Sequence, residues 1–191
     1  MADQLPIDDW YDPRFDPYMT AVGRIATTWA ALEFSINQAI WEISNVEAGI
    51  GACVTAQLVV IGPRLRALTA LVHYRGGNDN LISAFNRFGT QAEGLSRQRN
   101  RYVHDSISID VETAELKRTN VTADRRLDFA FHAVDLKDMQ KLHQQIRATV
   151  IRFDELVVRA LSELPPFPRT QYGRSPVGIR RHRKSQNNAP S

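Results

Sequence analysis

Apolar side chains recur at alternating steps of three and four residues along three long segments of the chain. This spacing places them on one side of an α-helix, so each segment is predicted to pack into a helical bundle. The segments begin near Asp16, near Asn78 and at Asp135, residues that can cap a helix. The three stripes are Val22, Ile25, Trp29, Leu32, Ile36, Ile40 and Ile43; Leu81, Phe85, Phe88, Ala92 and Leu95; and Met139, Leu142, Ile146, Val150, Phe153, Val157 and Leu161.

Two further regions complete the predicted fold. A helical region from about Ile50 to Tyr74 is expected to break at Gly62-Pro63, because proline lacks an amide donor. Between about 106 and 134 the apolar period changes to two, which predicts a β-hairpin or small meander. The expected fold class is mainly α, a four- to five-helix up-and-down bundle with this β insert before the last helix.

Composition divides the chain into three predicted parts. The net charge is +3, yet residues 1–164 carry more acidic than basic groups, because six basic and no acidic residues follow Leu164. We therefore expect an N-terminal arm at 1–15, the bundle at 16–164 and a basic, disordered tail at 165–191. Such a tail can neutralise phosphates, although an idle terminus is an equal alternative. The tail residues predicted to bind nucleic acid are Arg180, Arg181, Arg183 and Lys184.

Several classes of protein are disfavoured by what the sequence lacks. One cysteine, Cys53, excludes an internal disulfide and is expected to be a buried small hydrophobe. No signal peptide and no apolar run of membrane-spanning length is found, so a cytoplasmic protein without membrane contact is expected. A glycine-rich phosphate loop, paired-cysteine spacing and a zinc-binding His-Glu-x-x-His sequence are also missing, so no cofactor or metal is expected.

The second stripe ends in a polar string, Arg99-Asn100-Arg101-Tyr102-Val103-His104, which we call the motif. The next two steps of the stripe fall on Arg99 and Tyr102. A guanidinium on the core-facing side of a helix is costly unless it is paired, hydrogen-bonded or facing a wet cavity. Glu33 and Asn37 share another helix face, which borders either a cleft or solvent. The motif is therefore the leading candidate for a functional site.

A purely structural interpretation of the motif stays open at this point. Arg99 can pair with Glu33, His104 can favour the carboxyl end of its helix, and Tyr102 can fill core. Arg99 and His104 are also five residues apart, about 140° around an ideal helix. We therefore expect that they do not face one another within an unbroken helix. Either the helix ends inside the motif, or the two residues cooperate across a dimer.

At Arg99, Asn100 and His104 the chain resembles the HEPN superfamily, whose helical bundles carry an arginine, a following polar residue and a histidine four to six positions beyond the arginine. The long first helix with Trp29-Ala30-Ala31-Leu32-Glu33, the broken second helical region and the strands after the motif are also similar to an uncharacterised bacterial branch of that superfamily. The resemblance covers roughly residues 16–164.

The resemblance implies a specific activity. Many members are metal-independent ribonucleases that act as symmetric homodimers, with two motifs meeting in one cleft, and several belong to toxin or antiviral defence systems. It implies RNA, a second copy of the chain and a cognate antitoxin or other protein as partners. Other members only bind, so a non-catalytic helical module that binds nucleic acid or a protein is the alternative. The chain departs from the family at Asp105, where members often carry glycine, and an added carboxylate can either perturb His104 or repel RNA.

The residue types of the motif suit RNA cleavage. Arg99 can bind two phosphoryl oxygens at once, and His104 can transfer the proton of a 2′-hydroxyl. Asn100 precedes His104 by four residues, so it shares a helix face with the imidazole and can orient it. Arg99, Asn100 and His104 are the predicted catalytic residues. Glu33 and Tyr102 are the predicted supporting residues.

Overall fold

The computed structural model describes residues 12–110, 113, 115–122 and 128–167. Within them, five α-helices and three β-strands follow a 3-10 turn at Pro13–Phe15. The mainly helical bundle with a β insert before the last helix is confirmed. The elements are α1 Asp16–Ser44, α2 Ala48–Thr55, α3 Ile61–Tyr74, α4 Asp79–His104, β1 Ser106–Ile109, β2 Leu116–Thr122, β3 Asp128–Ala133 and α5 Leu136–Glu163.

Most residues of the predicted stripes form the core of the bundle, whereas Leu161, the last residue of the third stripe, is exposed. The largest side chains that are fully buried include Trp29 of α1, Phe85 of α4 and Phe153 of α5. The rings of Phe88 and Phe153 lie 4.9 Å apart and join α4 to α5. A continuous core of this kind supplies most of the free energy that holds the helices together.

Local capping explains where two helices begin. The Asn78 side chain accepts a hydrogen bond from the Leu81 amide at 2.9 Å, and the Asp135 side chain accepts one from the Lys137 amide at 2.7 Å. Each cap satisfies an amide that has no partner within its own helix. At the start of α1, by contrast, Asp16 is already the first helical residue and does not serve as the cap.

The break in the second helical region lies at residues 56–60, before the position predicted from Gly62-Pro63. Pro63 falls in the first turn of α3, where the amides have no intrahelical acceptor, so a missing donor costs nothing there. The preceding helix α2 lies against Trp41, whose Nε1 donates to Thr55 Oγ1 at 3.2 Å. Cys53 is exposed rather than buried, because α2 turns Gly51 and Thr55 toward the bundle.

The helices alternate in direction. Contacts advance together along α1 and α3, from Glu33 beside Arg64 to the Ile43 carbonyl beside Arg75, so these two helices are parallel. The short helix α2 and the segment after it return the chain between them, and α4 runs antiparallel to α3. The carboxyl end of α4 therefore lies at the same end of the bundle as the start of α3.

The β insert is an antiparallel meander with strand order β1-β2-β3. Arg118 of β2 lies opposite Ile107 of β1 and His132 of β3, so the three residues share one rung and one face. Ile107 packs against the helical core, which identifies this face as the inner one. On the outer face the Phe129 and Phe131 side chains are exposed.

No helix within the described ranges is both long enough and apolar enough to cross a bilayer.

Candidate active site at the end of helix α4

The motif occupies the last turns of α4. The helix continues without a break to His104, and Asp105 then adopts extended backbone with φ −75° and ψ 141°. Asn100 and His104 are exposed, whereas Arg99 and Tyr102 are half-buried. The motif therefore reaches solvent on one side while remaining attached to the core on the other.

Arg99 and His104 meet within one chain. Arg99 Nη1 lies 3.4 Å from His104 Nε2. The expectation that these residues do not face one another in an unbroken helix is therefore wrong. The 140° separation describes their Cα directions, whereas side chains on a helix lean toward its amino terminus, and an arginine side chain is long. The His104 ring can lean back over the preceding turn, where the Arg99 guanidinium reaches it.

Asn100 acts on the arginine rather than on the imidazole. Its Oδ1 accepts a hydrogen bond from Arg99 Nη1 at 2.9 Å, so the nitrogen that approaches His104 is also held by the amide. Asn100 and His104 share a helix face as predicted from their spacing, but within the described residues the hydrogen bond of the Asn100 side chain is with the Arg99 guanidinium. Asn100 thus orients Arg99, and through it the contact with His104.

One donor of Arg99 is left without a partner. Its Nε is buried and makes no hydrogen bond to any described residue. A buried donor in this condition costs about 1–3 kcal/mol, which is why native proteins contain few of them. Arg99 therefore carries, at the edge of the core, a donor that no described residue satisfies.

The helical neighbours of α4 explain how an arginine can occupy this position. Gly62, in the first turn of α3, lies against Glu93 of α4, since a Cβ atom at Gly62 would be 2.6 Å from Glu93 Oε1. From Glu93 to His104, α4 extends about 16 Å past the start of its antiparallel neighbour. Arg99 lies in this overhang, where α3 no longer covers the helix.

Glu33 belongs to a different cluster. Its Oε1 accepts a hydrogen bond from Trp29 Nε1 at 3.0 Å, and its Oε2 lies 4.0 Å from Arg64 Nη1. No ion pair between Glu33 and Arg99 forms among the described residues, so the structural interpretation of Arg99 as the partner of Glu33 is wrong. Among the described residues Glu33 makes no hydrogen bond or ion pair with the motif, so no contact supports its predicted role.

Tyr102 has the character of a packing residue. Burial raises its pKa above the usual value, the carboxylate of Asp138 raises it further, and the guanidinium of Arg118 partly opposes these effects. The phenol therefore stays neutral in the physiological range. Its ring packs against the core, where the structural interpretation placed it.

Arg118 was not predicted from the sequence, and it pairs with Asp105, the residue that follows His104. Arg118 Nη1 donates to Asp105 Oδ2 at 3.0 Å, and the two side chains are only 10% and 17% exposed. The carboxylate beside His104 is therefore neutralised by a cation from the sheet. The sequence gives little indication of this ion pair, because residues on separate elements pair without any fixed spacing along the chain.

The predicted nucleic-acid-binding tail lies outside the described residues. These positions are Arg180, Arg181, Arg183 and Lys184.

Comparison with known proteins adds no relative to this picture. No family model, curated protein or solved structure matches the chain. The site is therefore interpreted from its own geometry.

Among the described residues, no group of three or more His, Cys, Asp or Glu side chains is placed to hold a metal ion.

Proposed function

We propose that this chain is a metal-independent endoribonuclease of the HEPN type, acting as a toxin or defence effector, with its site at Arg99, Asn100 and His104. The observation that carries the proposal is the 3.4 Å approach of Arg99 Nη1 to His104 Nε2 at a partly exposed helix end. A permanent cation and a nitrogen that can accept a proton are thereby close enough to act on one phosphodiester.

His104 is proposed as the general base. A guanidinium can only donate hydrogen bonds, so in the contact with Arg99 the His104 Nε2 accepts, which requires a neutral ring with its proton on Nδ1. Nε2 can then take the proton of a ribose 2′-hydroxyl when RNA replaces Arg99 beside it. A positioned base of this kind contributes typically ~10²–10⁴-fold to the rate.

Arg99 is proposed to bind the phosphate. Among the described residues only Nη1 of the guanidinium is hydrogen-bonded, to Asn100, so Nη2 and the second hydrogen of Nη1 can donate to two phosphoryl oxygens when RNA displaces the contact with His104. Negative charge accumulates on these oxygens as the 2′-oxygen attacks, and a fixed cation there stabilises the transition state. The proposed mechanism therefore obtains its charge stabilisation from the protein.

The proposed step balances as a transesterification. The bond between the 2′-oxygen and phosphorus forms, the bond to the 5′-oxygen breaks, and the products carry a 2′,3′-cyclic phosphate and a 5′-hydroxyl. The departing 5′-oxygen needs a proton, which we assign to His104 of a second copy in a twofold homodimer; this copy of His104 is protonated and acts as the acid, while the neutral His104 of the first copy acts as the base. Light scattering at micromolar concentration should accordingly give the mass of a dimer.

The test is cleavage of labelled single-stranded RNA in excess EDTA. The wild type should cut it and leave cyclic phosphate ends. A strand of the same sequence made entirely of 2′-deoxynucleotides should bind and remain intact. His104→Ala should lower the rate by ~10²–10⁴-fold. Arg99→Lys keeps the charge but loses the paired donors, so its rate should also fall by more than ~10-fold.

Arg97→Lys provides the matched control, because Arg97 is an exposed arginine on the same helix whose charge is also preserved by the change. Its rate should stay within ~2-fold of the wild type, since it lies outside the contact. Binding of RNA without cleavage by the wild type would instead favour the non-catalytic module. Cleavage that survives His104→Ala would refute the assignment of the base.

A further inference from the structure

We propose that Arg118 is a positioning residue for this site, because it fixes the last turn of α4 and with it the imidazole of His104. The inference rests on the proposed function, since it concerns the same histidine. Arg118 lies on β2, and its side chain is 10% exposed. It contacts the residue directly after His104, Asp105, and a residue two positions before it, Tyr102.

The two contacts hold the helix end from both sides of His104. Arg118 Nη1 donates a charge-assisted hydrogen bond of 3.0 Å to Asp105 Oδ2. The guanidinium carbon also lies 5.4 Å from the centre of the Tyr102 ring, within the range of a cation–π interaction. A single side chain therefore ties both ends of the segment that carries the histidine.

A helix end needs such an attachment when a functional group sits on its last residue. The last four carbonyls of a helix have no intrahelical donor, so terminal turns open more readily than the helix interior. His104 is the last residue of α4 and is exposed, so little of its own packing holds it in place. A displacement of about 1 Å at a reacting group can cost ~10²-fold in rate.

The sheet is a firm anchor for this attachment. β2 is the middle strand, so it is hydrogen-bonded on both sides. Arg118 lies directly opposite Ile107, which packs against the helical core. The position of the guanidinium is therefore fixed relative to the bundle, and not only relative to a surface hairpin.

The same pairing protects the charge of Arg99. A carboxylate directly after His104 would, if unpaired, attract the nearby Arg99 and compete with an RNA phosphate for it. Arg118 neutralises Asp105 in a largely buried ion pair, so this competition does not arise. Loss of Arg118 should therefore harm the site twice, through a looser helix end and through a freed carboxylate.

Arg118→Met tests the proposal, with Lys117→Met as its matched control. Lys117 is the neighbouring residue on β2 and also forms an ion pair, with Asp110, but neither residue adjoins the motif. In the EDTA cleavage assay, Arg118→Met should lower kcat by ~10–100-fold through the looser helix end and raise KM through the freed carboxylate, whereas Lys117→Met should leave both unchanged. Adding Asp105→Asn to Arg118→Met should restore KM while kcat stays low, because it removes the freed carboxylate but not the loss of the attachment.

A second readout separates this proposal from the ribonuclease itself. The ¹⁵N resonances of the His104 ring in the full chain should shift or broaden in Arg118→Met and stay in place in Lys117→Met. If the wild type cuts no RNA, the proposed function fails while these resonances still test the positioning role. Unchanged His104 resonances and kcat, with only a lower melting temperature, would overturn it. Should Arg118→Met not fold, Arg118→Lys keeps the ion pair and should give a smaller shift of the same kind.

Discussion

Two helical glycines, Gly23 and Gly51, should respond in opposite ways to the same substitution by alanine. Gly23 is an exposed residue inside α1, about two turns from its start, where a Cβ atom would meet nothing within 4 Å. Gly51 lies in α2, where a Cβ atom would be 2.4 Å from Trp41 Cδ1 and 2.6 Å from Trp41 Cγ. Distances this short cannot persist, so either α2 or the indole must move.

The magnitudes follow from two competing effects. Alanine in place of glycine inside a helix stabilises by about 0.5–1 kcal/mol, because it restricts the unfolded chain. For Gly23→Ala nothing opposes this gain. For Gly51→Ala the overlap costs about 1–3 kcal/mol, and displacement of the indole also weakens its hydrogen bond to Thr55 Oγ1. The net change for Gly51→Ala is therefore a loss of about 1–3 kcal/mol.

Thermal and urea unfolding, followed by circular dichroism, provide the assay. For a chain of this size, 1 kcal/mol corresponds to about 2–4 °C in Tm. We expect Gly23→Ala to raise Tm by about 1–4 °C and Gly51→Ala to lower it by about 2–12 °C. Combining Gly51→Ala with Trp41→Leu should remove most of the penalty that alanine adds there. An increase in Tm for Gly51→Ala equal to that for Gly23→Ala would refute the packing of α2 against Trp41.

Two further stability predictions use other contacts of the bundle. Arg75 donates to the Ile43 carbonyl at 2.8 Å and to the Pro165 carbonyl at 2.6 Å, so Arg75→Met should cost about 1–3 kcal/mol in urea unfolding, and Arg75→Lys should recover less than half. Burial and the nearby Arg147 guanidinium lower the pKa of His143 below its usual value of 6.5. The unfolded chain then binds more protons, so stability is lost as pH falls through about 6.5, and His143→Gln should reduce that loss; an unchanged pH dependence would contradict it.

The helices could be predicted because their signals are local. The capping side chains of Asn78 and Asp135 act where the sequence placed them, and the apolar stripes between caps form the core. Periodicity and caps depend only on neighbours within a few turns, so one sequence contains the whole signal. The break before α3 was misplaced because the signal of a proline is also local. Proline is found both at a break in a helix and in the first turn of the next helix, so its position does not distinguish the two.

The middle strand could not be predicted in the same way. Residues 116–122 read Leu-Lys-Arg-Thr-Asn-Val-Thr, a mostly polar sequence without the alternating apolar residues that predict a strand. The inner face of this strand contributes Arg118 to an ion pair instead of a continuous apolar row. Strand formation depends on pairing with distant segments more than on intrinsic preference, so a strand with polar side chains on both faces leaves little trace.

Local and non-local signals also differ within the candidate site. Arg99 was recognisable because it interrupts an apolar stripe, a conflict visible within one helix. What resolves the conflict is not local: α3 begins level with Glu93, so the stripe beyond that point is not covered by α3. An apolar residue at position 99 would expose hydrophobic surface on the overhang, whereas arginine tolerates half-burial because its charged end stays near solvent. The position therefore suits a cation on structural grounds alone. Structural placement alone does not require the contact of Arg99 with His104, and this contact is the feature that the cleavage assay addresses.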